Sequence, residues 1–243
     1  MDRVSFFGPD MAPFTFYSTQ HVVSLAIIAA VCALTLGWRG LRERPQLANI
    51  MRHALASALL VLDIALHVWY FAADQWDPAV TLPLHLCSLT LILSFIMLWT
   101  KSYRLFEFNY FAGIGGALQA LLTPAAILSG YPHFTFFYFF IAHGGIIAAS
   151  LFMIAAYGYR PRWSSIWRTM LWLNLLLIPV GIVNWLTGGN YMFIAGKPDD
   201  PSLLDFLGPW PWYILSLEGV AFVMCAILYL PFAILKGRRK LQP

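Results

Sequence analysis

The chain has 243 residues, of which 60% are hydrophobic and only 11% charged. A soluble domain carries about 25% charged residues, so composition excludes one and points to a polytopic membrane protein. The formal charge of +4 is modest, no nucleic-acid partner is expected, and the placement of Lys and Arg is read as topology.

Residues 1–19 are mixed, with Asp2, Pro9, Asp10 and Pro13 breaking any short apolar core, so no cleavable signal peptide is expected. A membrane-spanning helix needs about 20 mostly apolar residues, because the hydrocarbon core is about 30 Å thick. Seven segments meet that requirement. The fold expected is therefore all-α, a single seven-helix transmembrane domain over residues 1–243.

The first span covers about residues 20–37, with His21 at one end and Cys32 inside. "WRGLRERPQLANIMR" follows and holds Arg39, Arg42, Arg44 and Arg52. The second span, about 50–71, carries Asp63 and His67 four residues apart, hence on one helix face. A carboxylate on one imidazole nitrogen fixes the tautomer and raises basicity. "AADQWDPA" then has two aspartates and no base.

The third span, about 82–99, opens on "LPLHLCSLT", which puts Pro83, His85 and Cys87 into an apolar run. Proline suits a first helical turn. Cys87 then lies within a few residues of a helix N terminus, a setting that lowers a thiol pKa. His85 and Cys87 are two residues apart and point about 200° from one another. "TKSYR" follows with Lys101 and Arg104.

The fourth span, about 108–128, contains Gly113, Gly115, Gly116 and Gln119. Its glycines are read as permitting close helix contact. "SGYPHF" carries no charge. The fifth span, about 135–157, places His143 about 12 Å from its first residue. "YRPRWSSIWR" contributes Arg160, Arg162 and Arg168. The sixth span, about 169–187, carries Asn174 and Asn184. The loop after it has one lysine against three aspartates and ends in "GPWPWY", whose aromatic rings suit the headgroup level. The seventh span, about 212–235, holds Glu218, and the tail "KGRRK" is basic.

Alternate loops are basic, and basic loops stay in the cytoplasm. The N terminus is therefore expected outside and the C terminus inside, with Arg3 the single exception. On that orientation His21, Asp63, His67, His85, Cys87, Gln119, His143, Asn184 and Glu218 all fall in outer halves, with Asn174 the inner-half exception. The economical explanation is a polar cavity in the outer half of the bundle, because ionisable groups in a membrane mark function by default.

Bland readings stand beside that one. Cys32 and Cys225 are read as inert apolar packing. His21 and His133 are read as interface residues. Asp63 and His67 are equally well explained as a structural hydrogen-bond network. The three cysteines show no CxxC spacing, so neither a disulfide framework nor a zinc ribbon is suggested.

Three blocks carry a family resemblance: "LPLHLCSLT", "FIAHGG" at 140–145 and "NYMFIAGKPDDPSLLDFLGPWPWY" at 190–213. On them the chain resembles the YwaF family of bacterial integral membrane proteins, over all seven spans. That family in turn looks related to a eukaryotic family of heptahelical membrane acyltransferases that remodel ether phospholipids. There a cysteine in the third span and a histidine in the fifth form the catalytic pair, and the matching positions here are Cys87 and His143. The resemblance implies a multi-pass protein of the bacterial cytoplasmic membrane, with membrane lipid as environment and substrate.

Two function classes compete. The first is a lipid acyltransferase using an acyl-thioester on Cys87, or a hydrolase if water is the acceptor. His143 would be the base, Asn184 or Gln119 an oxyanion donor, and His85, Asp63 and His67 would orient the site. The alternative is a non-enzymatic ligand sensor or transporter using the same cavity, with Glu218 among its polar contacts. A metal or haem site rests on residue type alone, so no cofactor and no metal is expected. Oligomeric state is open.

Overall fold

A computed structural model describes residues 6–8, 13–124, 129–198 and 203–240, with only the backbone of residues 39, 203 and 236–240. Arg3, the 125–128 end of the expected fourth span, and Asp199 and Asp200 of the sixth loop lie outside the described residues.

The described residues are helical, in seven segments that traverse the bundle in alternate directions. α1 is Thr19–Gly37, α2 is Pro45–Ala72 and α3 is Leu86–Thr100. The fourth segment is composite: α4 at Tyr103–Phe108, a π-helical turn at Asn109–Gly113, and α5 at Ile114–Leu122. α6 is Phe134–Tyr157, α7 is Trp163–Thr187 and α8 is Trp212–Lys240. Five of these helices are long and apolar enough to cross a membrane alone, while α3 is a shorter apolar helix. Together they form the polytopic all-α membrane bundle that composition predicts.

Four starts differ from expectation by four residues or more, those of α2, α3, the fourth segment and α7, and two of them have a visible reason. α3 begins at Leu86, not Leu82. Residues 82–84 form a tight turn, closed by the Leu84 N–H on the Leu82 carbonyl at 2.7 Å, while the Leu82 N–H goes to the Tyr191 hydroxyl. Pro83 therefore precedes the helix instead of opening it. α7 begins at Trp163, a full turn and a half before residue 169. There the Ser165 hydroxyl accepts from the Arg162 N–H at 2.9 Å and donates to Glu107 of α4. Arg168 closes an ion pair on the same carboxylate, which is buried.

Basic residues of the loops at one end of the bundle have a structural task. Helices end at their C termini with unsatisfied carbonyls and a partial negative charge, which cations satisfy. Arg42 donates to the Ala155 and Ile154 carbonyls at the end of α6, at 2.7 and 2.6 Å. Arg52, buried, donates to the Leu98 and Trp99 carbonyls at the end of α3.

α6 is the hub and touches α1, α2, α3 and α5. Of its apolar stretch 72% is buried, against 6% for α1 and for α8. Lipid is as apolar as leucine, so contact here depends on close approach and not on expulsion of water. Gly144 and Gly145 provide it. A Cβ on Gly144 would sit 2.9 Å from Ile28 of α1, and one on Gly145 would sit 2.5 Å from Leu59 of α2. The fourth segment's glycines each admit a different neighbour. Gly113 faces Ile146 of α6 and Thr90 of α3, Gly115 faces Met224 of α8, and Gly116 faces Leu86 and Cys87.

Candidate functional site

Cys87 is the second residue of α3, and His85 is its N-cap with extended backbone (φ −66°, ψ 149°). The first intrahelical bond at this end is Leu89 N–H to the His85 carbonyl. The His85 side chain makes no capping bond. The N–H groups of Leu86, Cys87 and Ser88 therefore have no acceptor among the described residues, as a helix start dictates.

The long loop after α7 docks over this helix end. Tyr191 is fully buried, and its hydroxyl donates to the Pro78 carbonyl at 2.8 Å while accepting from the Leu82 N–H at 2.9 Å. Asn184 clamps the same residue twice: its Oδ1 accepts from the Tyr191 N–H at 2.8 Å and its Nδ2 donates to the Tyr191 carbonyl at 3.0 Å. His85 lies against the Tyr191 and Phe193 rings, with centroids 5.2 and 5.5 Å away, and its Nδ1 accepts from the Met192 N–H at 3.4 Å. Met192 and Phe193 both have left-handed φ, 57° and 54°. Such backbone costs about 1–2 kcal/mol per residue, and the surrounding bonds hold it in place. Burial pushes the Tyr191 phenol above its ordinary value, nearby Asp77 adds to this, and the Leu82 N–H opposes it.

Below the loop, three helices converge. A Cβ on Gly113 would meet Ile146 Cγ2 at 3.0 Å and Thr90 Cβ at 3.5 Å, which fixes one level where α3, α5 and α6 meet. Three residues outward along each helix stand Cys87, Gly116 and His143. Cys87 Sγ lies 3.7 Å from where a Gly116 side chain would begin, so the glycine leaves room for the thiol. Cys87 is half-buried, whereas Cys225 is buried in the apolar core. His143 is buried, and its Nδ1 bonds the Phe139 carbonyl at 2.6 Å. A carbonyl only accepts, so Nδ1 carries a proton, and in the neutral ring Nε2 holds the free lone pair.

A second polar line runs along the α2–α6 contact. Asp63 interacts with His67 on its own helix and with the Tyr138 hydroxyl across the interface. Tyr138 in turn lies within electrostatic reach of Tyr70 and Cys87, and Tyr70 within reach of Tyr191. Tyr138 thus neighbours both the carboxyl and the thiol, and Tyr70 lies between Tyr138 and Tyr191. Sequence reasoning missed all three, since a tyrosine in an aromatic run such as "FTFFYFF" looks like packing.

Other residues singled out by sequence are placed elsewhere. The Asn184 carboxamide is committed to Tyr191, so its task is holding the loop rather than meeting an oxyanion. Gln119 bonds Thr123 at 2.5 Å on the exposed end of α5. Glu218 accepts from Asn174 at 3.1 Å, joining α8 to α7. His21 is buried and ties α1 to the Leu121 carbonyl at 2.9 Å, and His133 caps α6 through Thr135. Among the described residues no three His, Cys, Asp or Glu side chains converge to hold a metal ion.

These features define an all-helical, multi-pass membrane protein with a polar group set at one end of its bundle. The family model described as "TMEM164 family" matches residues 16–229, and the chain belongs to that family. No curated protein and no solved structure matches it.

Proposed function

We propose that the protein is a membrane lipid acyltransferase that forms an acyl-thioester on Cys87, with His143 as its base. The observation that carries this reading is the contact of Cys87 with Gly116, three residues along from the contact of Thr90, Gly113 and Ile146, with His143 three residues from Ile146 on α6. The earlier resemblance to YwaF-like and ether-lipid-remodelling proteins supports the same pair.

In the proposed reaction Cys87 Sγ attacks the carbonyl carbon of a phospholipid acyl ester, and its proton passes to His143 Nε2. Concerted transfer avoids an isolated thiolate in a medium of low dielectric. The oxyanion meets the unpaired N–H groups at the start of α3, which also carry the positive end of the helix dipole. The leaving alcohol takes the proton from Nε2 as the C–O bond breaks. An acceptor hydroxyl then gives its proton to Nε2, attacks the thioester and releases the thiolate, which recovers that proton. Water as acceptor gives hydrolysis instead. On the charge pattern, the site faces outward from the bacterial cytoplasmic membrane.

The test uses full-length protein in micelles with a phospholipid carrying an alkyne-tagged acyl chain. Wild type is expected to acquire a tag that neutral hydroxylamine removes. Cys87→Ala should acquire none, and His143→Ala should lose acylation by about 10²–10⁴-fold. Equal tagging of wild type and Cys87→Ala rejects the mechanism. The competing reading, a ligand sensor, is favoured by the Asp63–Tyr138 line and predicts that Cys87→Ser retains ligand binding with no acyl-protein in either form.

A further inference from the structure

At the face that the charge rule assigns to the cytoplasm, Tyr103 of α4, the loop from α6 to α7, the start of α7 and α8 line a groove of about 810 Å³. Its walls are Tyr103, Tyr159, Trp163, Tyr229 and Phe232, and its rim carries Arg160 and Arg162. This lies at the opposite end of the bundle from Cys87, and nothing in the proposed reaction uses it. We infer that the groove is a binding site for an anionic phospholipid of the cytoplasmic leaflet, with Arg160 and Arg162 on the headgroup phosphate and one acyl chain along Tyr229 and Phe232.

Three observations support that occupant. First, the cations are unspent. Among the described residues the ion pair is Arg168 with Glu107, and no carboxylate lies within salt-bridge distance of Arg160 or Arg162. Arg162 instead rests over the Tyr103 ring at 5.9 Å. Guanidinium is the side chain best matched to phosphate oxygens. Second, the tyrosine hydroxyls are used to build the loop and not to line the groove with polarity. Tyr103 donates to the Arg160 carbonyl at 2.8 Å, and Tyr159 donates to the Lys101 carbonyl at 2.5 Å. The rings thus present apolar faces, which suit hydrocarbon. Third, the loop is fixed. Gly158, at φ +70°, closes α6, and the Arg42 guanidinium stands 3.6 Å from where its side chain would begin. A preformed basic pocket between helices, at headgroup depth, is the arrangement that holds anionic lipid.

A neutral lipid offers the apolar contact but less for the arginines, and a free phosphate offers the charge but nothing for the aromatic walls. The experiment separates these. Full-length protein in phosphatidylcholine nanodiscs would be photolabelled with a diazirine-bearing phosphatidylglycerol, and the adducts mapped by peptide mass spectrometry. Adducts are expected on residues 158–164 and 229–232. Unlabelled phosphatidylglycerol should compete, while phosphatidylcholine and inorganic phosphate should not. Arg160→Gln with Arg162→Gln should cut labelling about 25-fold, taking each arginine as worth roughly fivefold beside an anionic headgroup. Arg160→Lys with Arg162→Lys should retain most of it, which separates lost charge from lost fold. Adducts elsewhere on the protein, full competition by inorganic phosphate or phosphatidylcholine, or unchanged labelling of the glutamine variant each overturn the inference.

Discussion

A carboxyl group inside a helix bundle persists only where something pairs with it. Asp63 has His67 one turn away and the Tyr138 hydroxyl across the α2–α6 contact. The second interaction is the testable one, because it joins two helices. Asp63→Asn and Tyr138→Phe, alone and together, form a double-mutant cycle. A coupling of about 0.6 kcal/mol, and at most about 1.7, is expected from hydrogen bonds between membrane helices. Thermal unfolding in mild detergent measures it, and simple addition of the two single effects removes the interaction from the account. The Asp63–His67 pairing is legible in sequence, since helix geometry alone stacks residues four apart. Tyr138 is not, since its role depends on which helix α6 meets. The same limit applies to Glu107 and Arg168, which lie 61 positions apart and become partners only when α7 docks on α4.

Among the elements, the start of α3 and the loop beyond α7 depend on each other. The apolar run suggested a span beginning at Leu82, but residues 82–84 close a turn through the Leu84 N–H and the Leu82 carbonyl, and the Leu82 N–H is held by Tyr191, a partner 109 positions away. Tyr191→Phe would leave the Leu82 N–H and the Pro78 carbonyl without this hydroxyl. A cost of about 1–3 kcal/mol is expected for buried groups so stranded. Limited proteolysis should then cut within residues 188–198 faster than in wild type, with helix content by circular dichroism unchanged. Protection equal to wild type would mean that the hydroxyl does not hold the loop. A pH arm sharpens this. Burial raises the folded Tyr191 pKa above the ordinary value of 10.0, so its stabilisation is complete below about pH 10 and is lost as pH climbs through the raised value. Wild type should loosen at that alkaline end, and the phenylalanine variant should not show that additional step.

Across the whole molecule, the all-helical, polytopic membrane character was readable from hydropathy, because it depends on the bilayer and not on neighbours. Which helix sits in the middle does depend on neighbours. α6 carries the signs of centrality, an apolar surface all round and a run of small residues. Its place is fixed by what Gly144, Gly145 and Ala149 allow to approach. Ala149 is fully buried, while Val223 on α8 is 56% exposed and faces outward. Both substitutions to leucine add apolar volume, so transfer energy does not distinguish them. Packing does. Ala149→Leu forces extra methylenes into a filled contact and should cost about 1–3 kcal/mol. Val223→Leu gives its methylene to lipid, which is as apolar as the side chain, and should change stability by less than about 0.5 kcal/mol. Unfolding of both variants in the same detergent decides the matter. A large loss from Ala149→Leu with none from Val223→Leu places the structural hub at α6, and with it the helix that carries both His143 and Tyr138. Equal losses would put the load on the α7–α8 side, and the Cys87–His143 layer would then have no rigid wall behind it.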